Sequence, residues 1–176
     1  LLRLIDREVE HVRAGAVGSI VFKVYNLVDP GIIEKLLWAS QQGVSIMLIV
    51  RSACALVPGI GRYSDKIEVI SIIDKFLEHA RLFFFGNAGK PDIFLSSADL
   101  MTRNLDHRIE LAWPVYDPGL RGDIERLLDL QIRDNVKARR LDRAQKNRYR
   151  RTGQGAVRSQ EALHKLMSLW GRPPAL

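Results

Sequence analysis

A histidine two residues from a fixed cation suits phosphate chemistry, and this sequence holds one at His79-Ala80-Arg81. If residues 79–85 form a strand, alternation puts the imidazole and the guanidinium on one face. A neutral imidazole can attack phosphorus or move a proton, while an arginine offsets the charge on phosphoryl oxygens. Alone, His-x-Arg is common and mostly structural. The segment LSSADLMTRNLDHRIE adds Ser96 and Ser97, then Asp99, Arg103, Asn104, Arg108 and Glu110, just after the strand expected to pair with the His79 strand. Hydroxyls and amides placed there can orient a histidine and donate to phosphate oxygens, and a carboxylate can fix the tautomer. The plain alternative is a polar turn with capping residues. Arg51 supplies a third feature: it follows the apolar run VSIMLIV at its carboxyl end, where open α/β sheets bind ligands.

Other chemistries find little footing. No Gly-rich loop runs into Lys followed by Ser or Thr, and Gly59-Ile60-Gly61 neither follows a strand directly nor opens a helix. The four histidines are spread too widely for a helical metal pair, and His11 and His164 read as surface residues of amphipathic helices. One cysteine, Cys54, is too few for an internal disulfide or a thiolate site, so no metal is expected on this chain alone and a reducing cytosolic setting is. The net charge of +7 is unevenly placed: residues 1–120 carry 13 Lys and Arg against 14 Asp and Glu, and residues 121–176 carry 14 against 6. Within the second stretch Lys137, Arg139, Arg140, Arg143, Lys146, Arg148, Arg150 and Arg151 face only Asp142, a cluster dense enough to attract a polyanion. Runs of this kind are ordinarily solvated faces, and only independent phosphate features weigh against that reading.

These groups need a scaffold. At 176 residues, 47% apolar and 27% charged, the chain fits one domain with a real core. Its apolar runs stop well short of the roughly 18 residues a bilayer span needs, so no transmembrane segment is expected. The pattern begins inside a helix without an initiator Met, which reads as a piece of something longer. Helical spacing from Leu1 to Gly15 is followed by a strand over Ser19–Tyr25, a helix capped by Asp29-Pro30 and running to Gln42, and a buried strand over Val44–Val50, a βαβ unit. A loop of about a dozen residues follows, long enough to be functional. Then come a strand over Ile67–Ser71, a short helix over Ile72–Glu78, a hairpin of Arg81–Phe85 and Asp92–Ser96, and a strand over Ile109–Val115. A helix from Pro118 to about Asn135 follows, with Ile124, Leu127, Leu128 and Ile132 on one face. The basic segment Lys137–Gly155 shows little apolar periodicity, Ser159–Trp170 closes with a short amphipathic helix, and the tail Gly171–Leu176 is expected to be loose.

The order of the motifs resembles the half-site of the phospholipase D superfamily, with His-x-Arg in place of the usual His-x-Lys and Ser-Ser-Ala-Asp about a dozen and a half residues on. More closely, VDPGIIEKLLWASQQGVSIMLIVRSACALVPGI, SDKIEVISIIDKFLEHARLFFF and LSSADLMTRNLDHRIELAWPVYDP resemble the last domain of bacterial polyphosphate kinase of the phosphohistidine type, from about Leu1 to Leu163. The closing VKAR and Asn147-Arg148-Tyr149 are similar to that family too, whereas Lys23-Val24-Tyr25-Asn26 carries its Asn one place later than the family's Lys-x-Asn. The resemblance implies an α/β fold, a mixed sheet flanked by helices forming a phospholipase-D-like half over 1–135, with a basic C-terminal helical segment over 136–176.

It also implies a kinase that moves the terminal phosphate of ATP reversibly onto inorganic polyphosphate, with magnesium, through a phosphohistidine in a preceding domain. Carried over, His79 is the second, catalytic histidine and touches ATP. Arg51 is by the same carry-over a phosphate-binding arginine. With the residues read above, the expected ATP and phosphate contacts are Arg51, His79, Arg81, Ser97, Arg103 and Asn104, and the expected polyphosphate contacts, from the basic cluster, are Lys137, Arg139, Arg140 and Arg143. The resemblance puts the magnesium ligands outside this chain. Expected partners are ATP, ADP, polyphosphate, the preceding domains and further copies in a homo-oligomer, with no nucleic acid. The expected location is cytoplasmic, with or without membrane association. The alternatives are half of a phospholipase-D-type phosphodiesterase or nuclease, against which Arg81 and the basic segment argue, and a non-catalytic polyanion-binding module.

Overall fold

The computed structural model describes residues 1–153 and 155–168. Helix α1 (Leu2–Arg13) leads to strand β1 (Ser19–Val24), helix α2 (Pro30–Gln41) and strand β2 (Ser45–Val50). The loop after Val50 holds one short turn of helix, α3 (Gly61–Ser64), before β3 (Ile67–Ile72). Next come β4 (Arg81–Phe85), β5 (Asp92–Ser96), α4 (Thr102–His107), β6 (Ala112–Pro114) and α5 (Pro118–Ile132), then β7 (Ala138–Leu141), β8 (Arg148–Tyr149) and α6 (Ser159–Met167). The strands form one mixed sheet in the order β6-β5-β4-β1-β2-β3-β7-β8. Strands β1, β2 and β3 run parallel, and the others are antiparallel to their neighbours.

Local signals explain the main elements. Asp29 Oδ1 accepts from Ile32 N at 3.0 Å ahead of Pro30, which fixes the start of α2. Gly18 lets α1 fold back on β1, because a Cβ there would stand 2.6 Å from Val12 Cγ2 and 2.8 Å from Glu8 O. The buried Glu8 then clasps Ser19 N at 3.0 Å and Asn87 N at 2.8 Å, binding α1 to β1 and to the β4–β5 turn. Phe22, Ile46, Leu48, Val69, Phe83 and Phe85 fill the core on one face of the sheet with residues of α1 and α2. Ile49, Ile70, Ile72, Leu82 and Ile93 pack on the other with Leu128 of α5. Covering both faces is why β2 reads as an unbroken apolar run after Ser45.

Four details differ from the sequence-based expectation. Residues 73–80 form no helix: Ile72 completes β3, and polar groups of the distant α6 region hold the segment, Gln160 bonding Phe76 and Arg158 bonding Asp74. Strand β4 begins at Arg81, so His79 precedes it. The expected strand over Ile109–Val115 shrinks to Ala112–Pro114, with Ile109 99% exposed, because its first apolar residues have no layer to cover them in this chain. Lastly, the basic run is a β-hairpin. Asp134 Oδ1 accepts the amides of Val136, Lys137 and Ala138 at 3.0, 2.7 and 2.9 Å and starts β7 beside β3; arginines in so short a strand hid its alternation. The helix expected over Ser159–Trp170 is α6; its last expected residues, Leu169 and Trp170, and the tail Gly171–Leu176 lie outside the described residues.

Candidate functional site

Because β4 runs antiparallel to β1, the start of β4 lies beside the carboxyl ends of β1 and β2. Tyr25 and Asn26 leave β1 there, Arg51 leaves β2, His79 and Arg81 enter β4, and Asp99 follows β5. The neighbours change from parallel to antiparallel at β1, and ligands of α/β sheets collect at such carboxyl ends; Arg51 lines one cavity there with Cys54 and Asn147, and His79 another with Lys23, Phe76 and Gln160.

Asp99 knots the corner together. It is 4% exposed, and its Oδ1 accepts Tyr25 N at 2.9 Å and Asn26 N at 3.0 Å. Its Oδ2 takes Asn26 Nδ2 and Arg81 Nη2, each at 3.2 Å. Burial pushes the Asp99 carboxyl up, but bonds from Arg81 and from the backbone of Asn26 and Tyr25 outweigh that and hold it below its ordinary range. Asn26 Oδ1 also accepts Ala53 N at 3.1 Å, so this amide sews the loop after β2 to the same corner.

The sequence-based pairing of His79 with Arg81 is present, although His79 lies outside the strand. Arg81 Nη2 stands 2.7 Å from His79 Nε2. Arginine only donates, so Nε2 is the acceptor and the ring proton belongs on Nδ1. The sequence suggested that a carboxylate could fix the tautomer; Asp99 bonds Arg81 rather than the ring. Tyr25 meets the His79 ring edge-on at 5.1 Å between centroids, and the Arg51 guanidinium lies 5.5 Å from the Tyr25 ring. Arg51 makes no ion pair among the described residues, and its Nε is buried without a partner.

The other sequence-based candidates are placed differently. Ser97 Oγ donates to Glu110, and Asn104 Nδ2 donates to Glu110 Oε1 at 2.8 Å, which together hold that carboxyl below its ordinary range. Both side chains are therefore engaged with Glu110 rather than with His79. Arg103 is exposed on α4. In the basic hairpin, Arg139 Nη1 donates to Asn147 O at 2.9 Å and its guanidinium stacks 4.0 Å over Tyr149, while Lys137 Nζ is 3.9 Å from Asp74. Arg140 and Arg143 are exposed. Sequence reasoning missed Glu78, Lys23, Gln131 and Gln160, which meet beneath the His79 segment; only Lys23, a lone cation in the apolar strand SIVFKV, left a visible trace.

For a metal ion the donor set is thin. Among the described residues no three His, Cys, Asp or Glu side chains converge, the Asp99 carboxylate is saturated by Arg81 and three amides, and that of Glu78 is taken by Lys23, Gln131 and Gln160. These residues do not fit a magnesium site. No helix of the described residues is long and apolar enough to cross a membrane.

Comparison with known proteins agrees with this architecture. The family described as "Polyphosphate kinase C-terminal domain 2" matches residues 1–160. The chain is 48% identical over 165 residues to a polyphosphate kinase of Vibrio cholerae, covering 93% of this chain and 24% of that one. It is 41% identical over 174 residues to one of Escherichia coli, covering 98% and 25%. The crystal structure of polyphosphate kinase from Porphyromonas gingivalis superposes with a TM-score of 0.91 at 44% identity over 94% of this chain and 26% of that one. Nuc of Salmonella typhimurium, a phospholipase D family member, shares the fold at a TM-score of 0.54 and 14% identity, over 79% of this chain and 88% of that one. The chain thus spans about a quarter of the length of the curated relatives it matches, and it belongs to the polyphosphate kinase family as its second C-terminal domain.

Proposed function

We propose that the protein containing these residues transfers the terminal phosphate of ATP to inorganic polyphosphate, reversibly, by way of a phosphorylated histidine in a preceding domain, with His79 acting on the ATP phosphates from this one. The observation that carries the reading is His79 Nε2 clasped by Arg81 at 2.7 Å beside Arg51, a cation without an acidic partner among the described residues. The relatives named polyphosphate kinase, at 41% and 48% identity, support it.

In this reading the nucleophilic histidine forms a nitrogen–phosphorus bond as the bond from the γ-phosphorus to the β–γ bridging oxygen breaks, and ADP departs with the electron pair. A terminal polyphosphate oxygen then attacks the same phosphorus and releases the imidazole. Arg51 and Arg81 offset charge on the phosphoryl oxygens, and Nδ1–H is the ring donor that His79 has left for a phosphate or leaving oxygen. Arg103 is an outer phosphate contact, and Ser97 and Asn104 join it only by releasing Glu110. Lys137, Arg139, Arg140 and Arg143 guide the polymer, as steering by a basic surface predicts. Magnesium arrives with ATP, held by residues outside these 176. Preceding domains or further copies cover the exposed Leu105, Ile109, Leu111, Trp113 and Tyr116, and the location is cytoplasmic.

His79→Ala and His79→Gln in the full-length protein test this. Turnover per folded molecule should fall about a hundred- to ten-thousandfold with the fold intact. Wild-type turnover in both variants would end the reading.

A further inference from the structure

His79 rides on a segment without a ladder of its own. Among the described residues no backbone–backbone hydrogen bond ties residues 73–80 to anything, and both His79 and Ala80 are exposed. Side chains from elsewhere hold the segment. Gln160 of α6 grips Phe76 twice, accepting from its N at 2.8 Å and donating to its O at 2.9 Å. Gln160 Nε2 also donates to Glu78 Oε1 at 2.9 Å, Lys23 Nζ donates to Glu78 Oε2 at 2.7 Å, and the buried Gln131 of α5 donates to the same oxygen. Lys23 is 6% exposed, so this ion pair sits largely out of water, where its geometry matters most. Burial would raise the Glu78 carboxyl, yet the Lys23 charge and the three donors hold it below its ordinary range, so it stays an anion accepting from all three.

We infer that Glu78 is the positioning residue of His79, and that Lys23, Gln131 and Gln160, by fixing Glu78 and Phe76, set where the imidazole meets Arg81. Glu78 is one bond of backbone away from His79, and its carboxylate is anchored from three elements, β1, α5 and α6. Loosening it lets the ring leave the 2.7 Å contact with Arg81. This rests on the reading of His79 given above. Misplacement of a reacting group by about 1 Å costs on the order of a hundredfold in rate.

The test uses the full-length protein carrying Gln160→Ala, with Gln131→Ala as a second variant should the first not fold. Turnover at saturating ATP should fall about ten- to a hundredfold, while the apparent KM for ATP changes less than about threefold, because Arg51 is untouched. With histidine labelled in nitrogen-15, the wild-type His79 ring, identified by the signal lost in His79→Gln, should show a fixed Nδ1–H tautomer, and the strut variants an averaged one. Wild-type turnover per folded molecule with an unchanged ring signal would overturn the inference, even if the melting temperature fell. If His79→Gln itself turned over normally, the catalytic reading would fall separately, and the ring signal would still report on positioning.

Discussion

Two arginine-bearing regions of this domain solve opposite problems. At the strand ends, Arg51 and Arg81 are few and fixed: Arg81 is pinned between Asp99 and His79, and Arg51 faces Tyr25. Around the hairpin of β7 and β8, eight basic residues crowd against one acid within their own run; Lys137 reaches Asp74 at 3.9 Å, while Arg139 and Arg151 are held by backbone carbonyls and the ring of Tyr149. Arg140 even stands directly opposite Arg148 in the ladder, a like-charge pair that destabilises it. In the proposed function, fixed geometry would serve the chemistry of one phosphorus atom and loose charge a long anion of no fixed register. The same residue type therefore carries different consequences in the two places.

The contrast breaks first at Asp99. Asp99→Ala strands the Arg81 guanidinium and the amides of Tyr25 and Asn26, so it should cost about 3 to 5 kcal/mol, read from denaturant midpoints, with activity lost as well. A buried site that tolerated the change would be as loose as the hairpin. The pH dependence sharpens the point. The folded Asp99 carboxyl lies below its ordinary value of 3.8, so its contribution is complete above that value and is lost as pH falls through the folded one. The stability gap between wild type and Asp99→Asn should be flat above about pH 5 and narrow below about pH 4.

Arg51→Ala comes next. One charge-assisted phosphate contact is worth about 1.5 to 3 kcal/mol, so the apparent KM for ATP should rise roughly ten- to a hundredfold with folding unchanged. Melting of the domain with normal ATP affinity in the remaining fold would make Arg51 a structural residue. The smallest effect belongs to the hairpin. Arg140→Glu with Arg143→Glu should weaken polyphosphate binding and lower its salt slope by about one unit per lost contact, with ATP affinity little changed. An unchanged slope would reduce the hairpin to a solvated face.

What the sequence made legible follows the same division. The βαβ unit, the aromatic hairpin and α5 were readable because their apolar residues repeat at the period of the element that buries them. His79, Arg81 and Arg51 were readable because short spacing and strand ends place them. The struts under His79 were not: Gln131 and Gln160 lie 53 and 82 residues from Glu78, and neutral amides carry no pattern in sequence. The helix expected over Ile72–Glu78 is absent: the apolar spacing suits one, but Ile72 ends β3 and partners far along the chain hold the backbone after it open. Ser97 and Asn104 looked like phosphate donors by type; their bonds to Glu110 depend on a turn that spacing does not reveal.

The sheet has two margins, and they differ in what they invite. An edge strand offers unpaired amides and carbonyls to any passing strand. At β8 the offer is withdrawn, since only two residues pair and positive charge surrounds them. At β6 it stands open, flanked by Leu111 and Trp113 at 66% and 47% exposure, with Pro114 the one blocking residue. Concentrated alone, the 176-residue chain should self-associate through β6, and added salt should hasten it, because the net charge of +7 that keeps copies apart is screened within about 10 Å at 0.1 M.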